Sequence, residues 1–161
     1  GDVPTMEALA AVRLLADAIP ELRIRFVNVV DLMRLQPKEE HPHGSSAADF
    51  DAFFTTDKPV IFAFHGYPAL IHQLAYRHTN HANIHVRGFK EKGTTTTPFD
   101  MLMMNDLDRY RLAMDVIRRV PGLEERHASL VQHFADERAR MRAYASENGE
   151  DSPEVTGWDW L

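Results

Sequence analysis

The sequence predicts an α/β domain in which a mostly parallel sheet is flanked by helices, and three observations carry that reading. An apolar stripe at helical spacing over residues 5–19 hands over to Ile24–Val30, a run too short and too rich in β-branched residues for an ordinary helix. A second such run, Pro59–Phe64, turns through His65-Gly66 straight into another helical stretch. Helical segments also outnumber strand segments along the rest of the chain.

Asp2-Val3-Pro4-Thr5 reads as a turn-like helix start, after which Leu9, Val12, Ala16 and Ile19 recur at helical spacing until Pro20 stops the run. Ile24–Val30 then reads as a strand covered on both faces. Between Gln36 and Ser46, prolines, a glycine and charged side chains break every periodicity, so this is an exposed loop. Ser46 suits the cap of a short helix through Phe54. The second strand follows, and Pro68 opens a helix to about Arg77 at the position where its missing N–H costs nothing. Ile84–Arg87 alternates apolar and polar side chains and predicts a short third strand with one wetter face. Pro98 opens the strongest helical pattern, with Phe99, Leu102, Met103, Leu107, Tyr110, Met114 and Ile117 on one stripe up to Pro121-Gly122. A last helix from Leu123 to about Ala145 has a face of alternating acids and bases. The division expected is one domain over residues 1–146 and an acidic tail over 147–161 that packs back through Trp158 and Trp160.

Composition narrows the function classes. A chain of 161 residues with 44% hydrophobic content suits one core. The net charge of -6 has the wrong sign for a partner held by its phosphates, so nucleic acid is not expected. No run approaches the roughly 20 apolar residues of a membrane span, and the first residues lack a secretory pattern, so the expectation is a soluble, cytosolic protein with no membrane partner. The absence of cysteine removes thiolate nucleophiles, disulfides and cysteine-based zinc sites.

Seven of the nine histidines lie between positions 41 and 85, which raises the question of a metal. His78, His81 and His85 span a loop and a strand rather than one helical face, so their spacing fits no metal-site pattern, and hydrogen-bonded or solvated imidazoles are the plainer reading. His65 ends a buried strand just before a helix, where open α/β sheets place ligand-contacting groups. Its plainer role is to close the turn by bonding a backbone carbonyl. Thr94, Thr95, Thr96 and Thr97, with Arg87, Lys90 and Lys92 upstream, precede a helix start where free N–H groups and the helix dipole suit an anion. Thr97 as an N-cap is the plainer role there, and Asp100 suits the first turn. Met101-Leu102-Met103-Met104 reads as core filler. Arg138, Arg140 and Arg142, interleaved with acids, suit a solvated or subunit-facing surface.

Several strings extend this reading. Gly1-Asp-Val-Pro-Thr5, Val29-Val-Asp-Leu-Met33, Glu40-His-Pro-His-Gly44, Phe54-Thr-Thr-Asp-Lys-Pro59, Phe64-His-Gly-Tyr-Pro68, Arg77-His-Thr-Asn-His81, His85-Val-Arg-Gly88, Gly93-Thr-Thr-Thr-Thr-Pro-Phe-Asp100 and Asn105-Asp-Leu-Asp-Arg109 stand in order. Together they resemble the C-terminal region of the phosphoketolases, closely over residues 1 to about 121 and more loosely beyond. The resemblance implies a three-layer domain like the C-terminal domain of transketolases. It also implies a parent enzyme that uses thiamine diphosphate and magnesium to cleave xylulose 5-phosphate or fructose 6-phosphate with inorganic phosphate, giving acetyl phosphate and an aldose phosphate. The family's active sites lie between upstream domains of a homodimer, so no catalytic, cofactor-binding or metal-binding residue is carried over. His65, Arg87, Thr94, Thr95, Thr96 and Thr97 remain candidates for ligand contact or for the active-site entrance. Upstream domains of the same polypeptide are the expected partners.

Two further readings compete: an independent α/β module binding an anion at Thr94–Thr97, and a histidine-rich metal-binding structural protein. One more expectation concerns topology. Asp2–Ile19 is the turn and helix of a βα unit, so a strand should precede it. Without that strand, three strands near 24–30, 60–64 and 84–87 should surround a vacant slot, and the chain by itself should self-associate or be marginally stable.

Overall fold

The computed structural model of the protein describes residues 1–90 and 92–159. Its elements are α1 (Asp2–Ala18), α2 (Ala47–Phe54), β1 (Val60–Phe64), α3 (Pro68–Ala75), β2 (Ile84–Gly88), α4 (Pro98–Met104), α5 (Arg109–Arg119), α6 (Leu123–Arg126), α7 (Ala128–Asn148) and α8 (Pro153–Thr156). The class is α/β, as the strand and helix patterns predict: β1 and β2 pair in parallel, with Val60 opposite Ile84 and Phe64 opposite Gly88.

Side-chain alternation along β1 builds two cores, one on each side of the pair. Ile61 and Ala63 pack against a cluster from α1, α4, α5 and α7, whose members Leu15, Ile19, Leu107, Ala113 and Ile117 are fully enclosed. Val60, Phe62 and Phe64 pack against Leu35, Phe50, Ile71 and Leu74 from the other side. Both faces of β1 are therefore apolar, which is why its sequence reads as an unbroken hydrophobic run. Serine 46 caps α2 as expected, its hydroxyl accepting from the Asp49 N–H at 3.1 Å.

Several expectations are corrected. Ile24–Val30 forms no strand. Ile24, Val27 and Val29 are half-buried, with Ile24 toward the first core and Val29 toward the second, yet no ladder partner lies beside the segment among the described residues. β-branched composition makes a segment ready for a sheet, but a strand exists only where a neighbour supplies hydrogen bonds. Among the described residues the sheet accordingly has two strands, not three. The long helix after Pro98 is two helices. Asp106 takes a positive φ of 55°, Leu107 is fully buried, and Asp108 caps α5 by accepting from the Arg111 N–H at 3.0 Å. Asn105, Asp106 and Asp108 are residues whose short side chains favour turns and caps over helix interiors, and here that preference outweighs the continuing apolar stripe.

The last helix is also divided, at His127, and α6 starts from Gly122, whose φ of 71° suits a residue without Cβ. Helix α1 begins at Asp2 rather than after Thr5, because Gly1 already supplies the cap position. In the tail, the guanidinium of Arg109 lies 5.2 Å from the Trp158 ring, while the packing expected of Trp160 falls outside the described residues.

Candidate functional site

The carboxyl ends of β1 and β2 lie side by side, and a glycine at the end of β2 lets it approach the start of α3. A Cβ on Gly88 would stand 2.4 Å from the Gly66 carbonyl oxygen and 2.6 Å from Pro68 Cδ, so only glycine lets the end of β2 meet the start of α3. The Phe89 N–H donates to the carbonyls of Phe64 at 3.2 Å and Gly66 at 2.9 Å, closing the turn from the partner strand. His65 therefore does not need to close it. The imidazole is exposed and meets Phe89 edge to face at 4.7 Å, on the rim where a ligand could be contacted.

Arg87 comes from the same strand end but points the other way. In the parallel register it faces the side occupied by Ala63, toward α5, where it donates to both oxygens of Asp115 at 2.6 and 2.9 Å. That bidentate bond raises the guanidinium pKa above its ordinary value, despite the desolvation that opposes it. A weaker contact of 3.5 Å reaches Asp106. Arg138, half-hidden on α7, donates to Asp106 and Asp108, each at 3.0 Å, and to the Met103 carbonyl at 2.8 Å. It ties the α4–α5 break to α7, so the expectation of a solvated arginine at this position is corrected. Arg142 and Arg140 do pair at the surface, with Asp100 and with Glu137 and Glu154. Burial pushes the Asp108 carboxyl up, and Arg138 and the Arg111 N–H pull against it.

Thr94–Thr97 sit elsewhere, at the corner of α4, α7 and α8. Thr97 caps α4, and Thr96 donates to Asp100 at 2.7 Å. The Phe99 N–H, one of the free donors that would attract an anion, already donates to Asp151 at 2.9 Å. A shallow hollow of about 760 Å³ adjoins the threonines, and Glu150 and Asp151 line it. Its charge is wrong for a phosphate. The sequence candidates thus fall into two groups: His65 and Arg87 at the strand ends, facing apart, and the threonines at the far end of α4.

The histidines disperse. His78 is a core residue: its ring stacks on Phe50 at 3.6 Å, its Nε2–H donates to the Leu35 carbonyl at 3.0 Å, and burial lowers its pKa. His43 bonds Asp31 at 2.9 Å through Nδ1, and its backbone N–H donates to His41 Nδ1 at 3.0 Å. Among the described residues no three His, Asp or Glu side chains converge to hold a metal ion. No described helix is long and apolar enough to cross a membrane.

One feature escaped sequence reasoning. Glu7 is buried and accepts three hydrogen bonds from Arg109: from the backbone N–H at 2.8 Å, Nε at 3.0 Å and Nη2 at 2.7 Å. Its place beside Ala8 and Ala11 on the inner face of α1 was the available signal. An apolar groove of about 980 Å³ lies between β1 and residues 22–30, floored by α1 and α5.

The comparisons with known proteins agree with one another. The family model for the XFP C-terminal domain matches residues 1–160. The chain is 63% identical over 160 residues to a probable phosphoketolase of Nocardia farcinica, 61% to one of Bradyrhizobium diazoefficiens and 61% to one of Chlorobaculum tepidum. Each match takes in 99% of this chain and 20% of the relative, so the chain spans about a fifth of the length of these proteins.

Proposed function

Since this chain belongs to the XFP C-terminal domain family, we propose that it is the C-terminal domain of a phosphoketolase and serves that enzyme structurally. In this reading the parent cleaves xylulose 5-phosphate, fructose 6-phosphate or both with inorganic phosphate, giving acetyl phosphate and an aldose phosphate. Thiamine diphosphate and magnesium belong to the upstream domains, in a cytoplasmic homodimer. The domain packs on those upstream parts and supports the dimer. His65 and Thr94–Thr97 border the active-site entrance, and Arg87 holds the strand end in place.

The observation that carries the proposal is the match over residues 1–160 to a family of C-terminal domains, within relatives five times as long. The residues present do not fit the cofactor pair. A diphosphate–metal pair needs converging oxygen ligands, whereas Glu7, Asp106, Asp108 and Asp115 are each bound by arginine. The competing reading, an independent anion-binding module, is weakened by Asp151 standing where the anion would sit. The test compares the purified chain with the full-length parent, each given xylulose 5-phosphate or, separately, fructose 6-phosphate, with inorganic phosphate, thiamine diphosphate and magnesium. The parent should form acetyl phosphate and the chain should not. Acetyl phosphate from the chain alone, or none from the parent with either sugar phosphate, would overturn the proposal.

A further inference from the structure

The loop over residues 37–45, which the sequence marks only as exposed, is pinned at almost every position. Pro37 and Ser45 form an isolated bridge, with the Ser45 N–H donating to the Gln36 carbonyl at 2.9 Å and the Lys38 N–H to the Ser45 carbonyl at 3.0 Å. Inside the loop the N–H groups of Glu40 and His41 both donate to the Pro37 carbonyl, and that of Gly44 donates to His41. The Ser45 hydroxyl donates to the Arg34 carbonyl at 2.7 Å. A Cβ on Gly44 would stand 2.3 Å from the Pro37 carbonyl oxygen, so only glycine closes the loop this tightly. What this rigid frame presents to solvent is His43, with 66% of its side chain exposed.

The His43 imidazole is oriented in two steps. The Met33 N–H donates to Asp31 Oδ1 at 2.9 Å and fixes the carboxylate, whose Oδ2 lies 2.9 Å from His43 Nδ1. The Met33 N–H holds the Asp31 carboxyl below its usual range against desolvation, and His43 and Arg34 add to the effect. Asp31 is therefore an anion at neutral pH, the hydrogen of a neutral His43 sits on Nδ1 facing it, and Nε2 keeps its lone pair. A carboxylate placed this way orients an attacking nitrogen and stabilises the imidazolium that attack creates. His41 supplies a donor beside it. Its Nδ1 accepts from the His43 N–H at 3.0 Å, so a neutral His41 carries its hydrogen on Nε2, and the two rings stand edge to face at 5.3 Å. The same assignment removes His41 as a second metal ligand, since one nitrogen has its lone pair engaged and the other is protonated. We propose that His43 Nε2 is a phosphoryl-acceptor site whose donor is an acyl phosphate, the class of product released by the parent. The choice of donor rests on the phosphoketolase reading. In the transfer the Nε2 lone pair bonds to phosphorus while the bond from phosphorus to the acyl oxygen breaks, and the carboxylate leaves with that electron pair. The ring becomes an N-phosphoryl imidazolium whose Nδ1–H stays on Asp31, so no proton is exchanged and no further reactant is needed.

The test uses the full-length parent freed of thiamine diphosphate and magnesium, so that no turnover occurs, and supplies acetyl phosphate directly. Phosphohistidine is recognised by its lability in acid and stability in alkali, and it is assigned to a residue by mass spectrometry of peptides. His65 is the internal comparison, because it is also exposed but meets Phe89 instead of a carboxylate. Label should reach His43 at least about 10-fold faster than His65 and be absent from that position in His43→Gln. In Asp31→Asn, which keeps an oxygen for the Met33 N–H, labelling of His43 should slow on the order of 10- to 100-fold. The comparison with His65 needs no variant and keeps the test decisive should Asp31→Asn disturb the loop. Absence of phosphoryl from His43 overturns the proposal, and so does equal labelling of His43 and His65. An Asp31→Asn rate equal to the wild type, with circular dichroism unchanged, overturns it as well. These outcomes are separate from the phosphoketolase reading, which stands or falls on acetyl phosphate formation by the loaded parent.

Discussion

Replacing Glu7 by alanine should cost more stability than any other single side-chain truncation on α1. Glu7 is 5% exposed and Arg109 6%, and their carboxylate and guanidinium meet in a bidentate pair to which the Arg109 backbone N–H adds a third bond. That N–H belongs to the first turn of α5, so the carboxylate also satisfies a donor left open by helix geometry. Phe99 and Trp158 enclose the guanidinium at 5.5 and 5.2 Å, leaving it no route to water when the carboxylate is gone. Breaking a buried ion pair from one side costs about 3–5 kcal/mol, against a typical domain stability of roughly 5–15 kcal/mol. Glu7→Ala should therefore lower stability by about 4 kcal/mol, or roughly 8–16 °C in Tm for a chain of this size. Urea denaturation followed by circular dichroism measures the loss. The double variant Glu7→Leu with Arg109→Met, which removes both charges, should recover at least half of it, because the penalty lies in the stranded cation. A loss below about 1 kcal/mol for Glu7→Ala, or additive losses in the double variant, refutes this account of the α1–α5 contact.

Acid should weaken the fold through His78. Burial lowers its folded pKa below the ordinary 6.5, so the unfolded chain binds more protons in the window below 6.5, and stability there falls as pH falls. Denaturation midpoints measured from pH 7.5 to 5 should drop for the wild type and drop less for His78→Phe. Asn80 is 1% exposed and donates to the carbonyls of Phe54 and Lys58 at 2.9 Å each, so Asn80→Ala should cost about 2–3 kcal/mol by urea titration. Asp151→Ala removes the acceptor for the Phe99 N–H and should cost about 1 kcal/mol, with faster exchange confined to the first turn of α4.

Much of the fold was legible because local chemistry and tertiary outcome agree. Pro68 and Pro98 open helices, Ser46 and Thr97 cap them, and the run Val60–Phe64 is hydrophobic throughout because both of its faces are covered. The break at Asp106 was less visible. Its signal, two aspartates and an asparagine in four residues, competed with an apolar stripe that runs through the break because Leu107 is buried on the same side as its neighbours. For the site, the sequence placed His65 on a strand end, where it stands exposed, but left open which way Arg87 points. Which face of β2 carries Arg87 depends on the strand register, and its partner Asp115 lies on α5, far away in sequence.

By itself the sequence determined the α/β class, the starts of α2, α3 and α4, and the resemblance to the phosphoketolases. The class and the helix starts follow from residue spacing and from conformational preferences that act within a few positions, and the resemblance follows from strings of residues that stand in order along the chain. Only the tertiary structure decided that Ile24–Val30 stays unpaired, that Arg138 serves the interior and that Glu7 is buried beneath Arg109. Each of these depends on a partner brought close by the fold. A strand without a neighbour has no ladder, and a charge is tolerated inside only where an opposite one meets it.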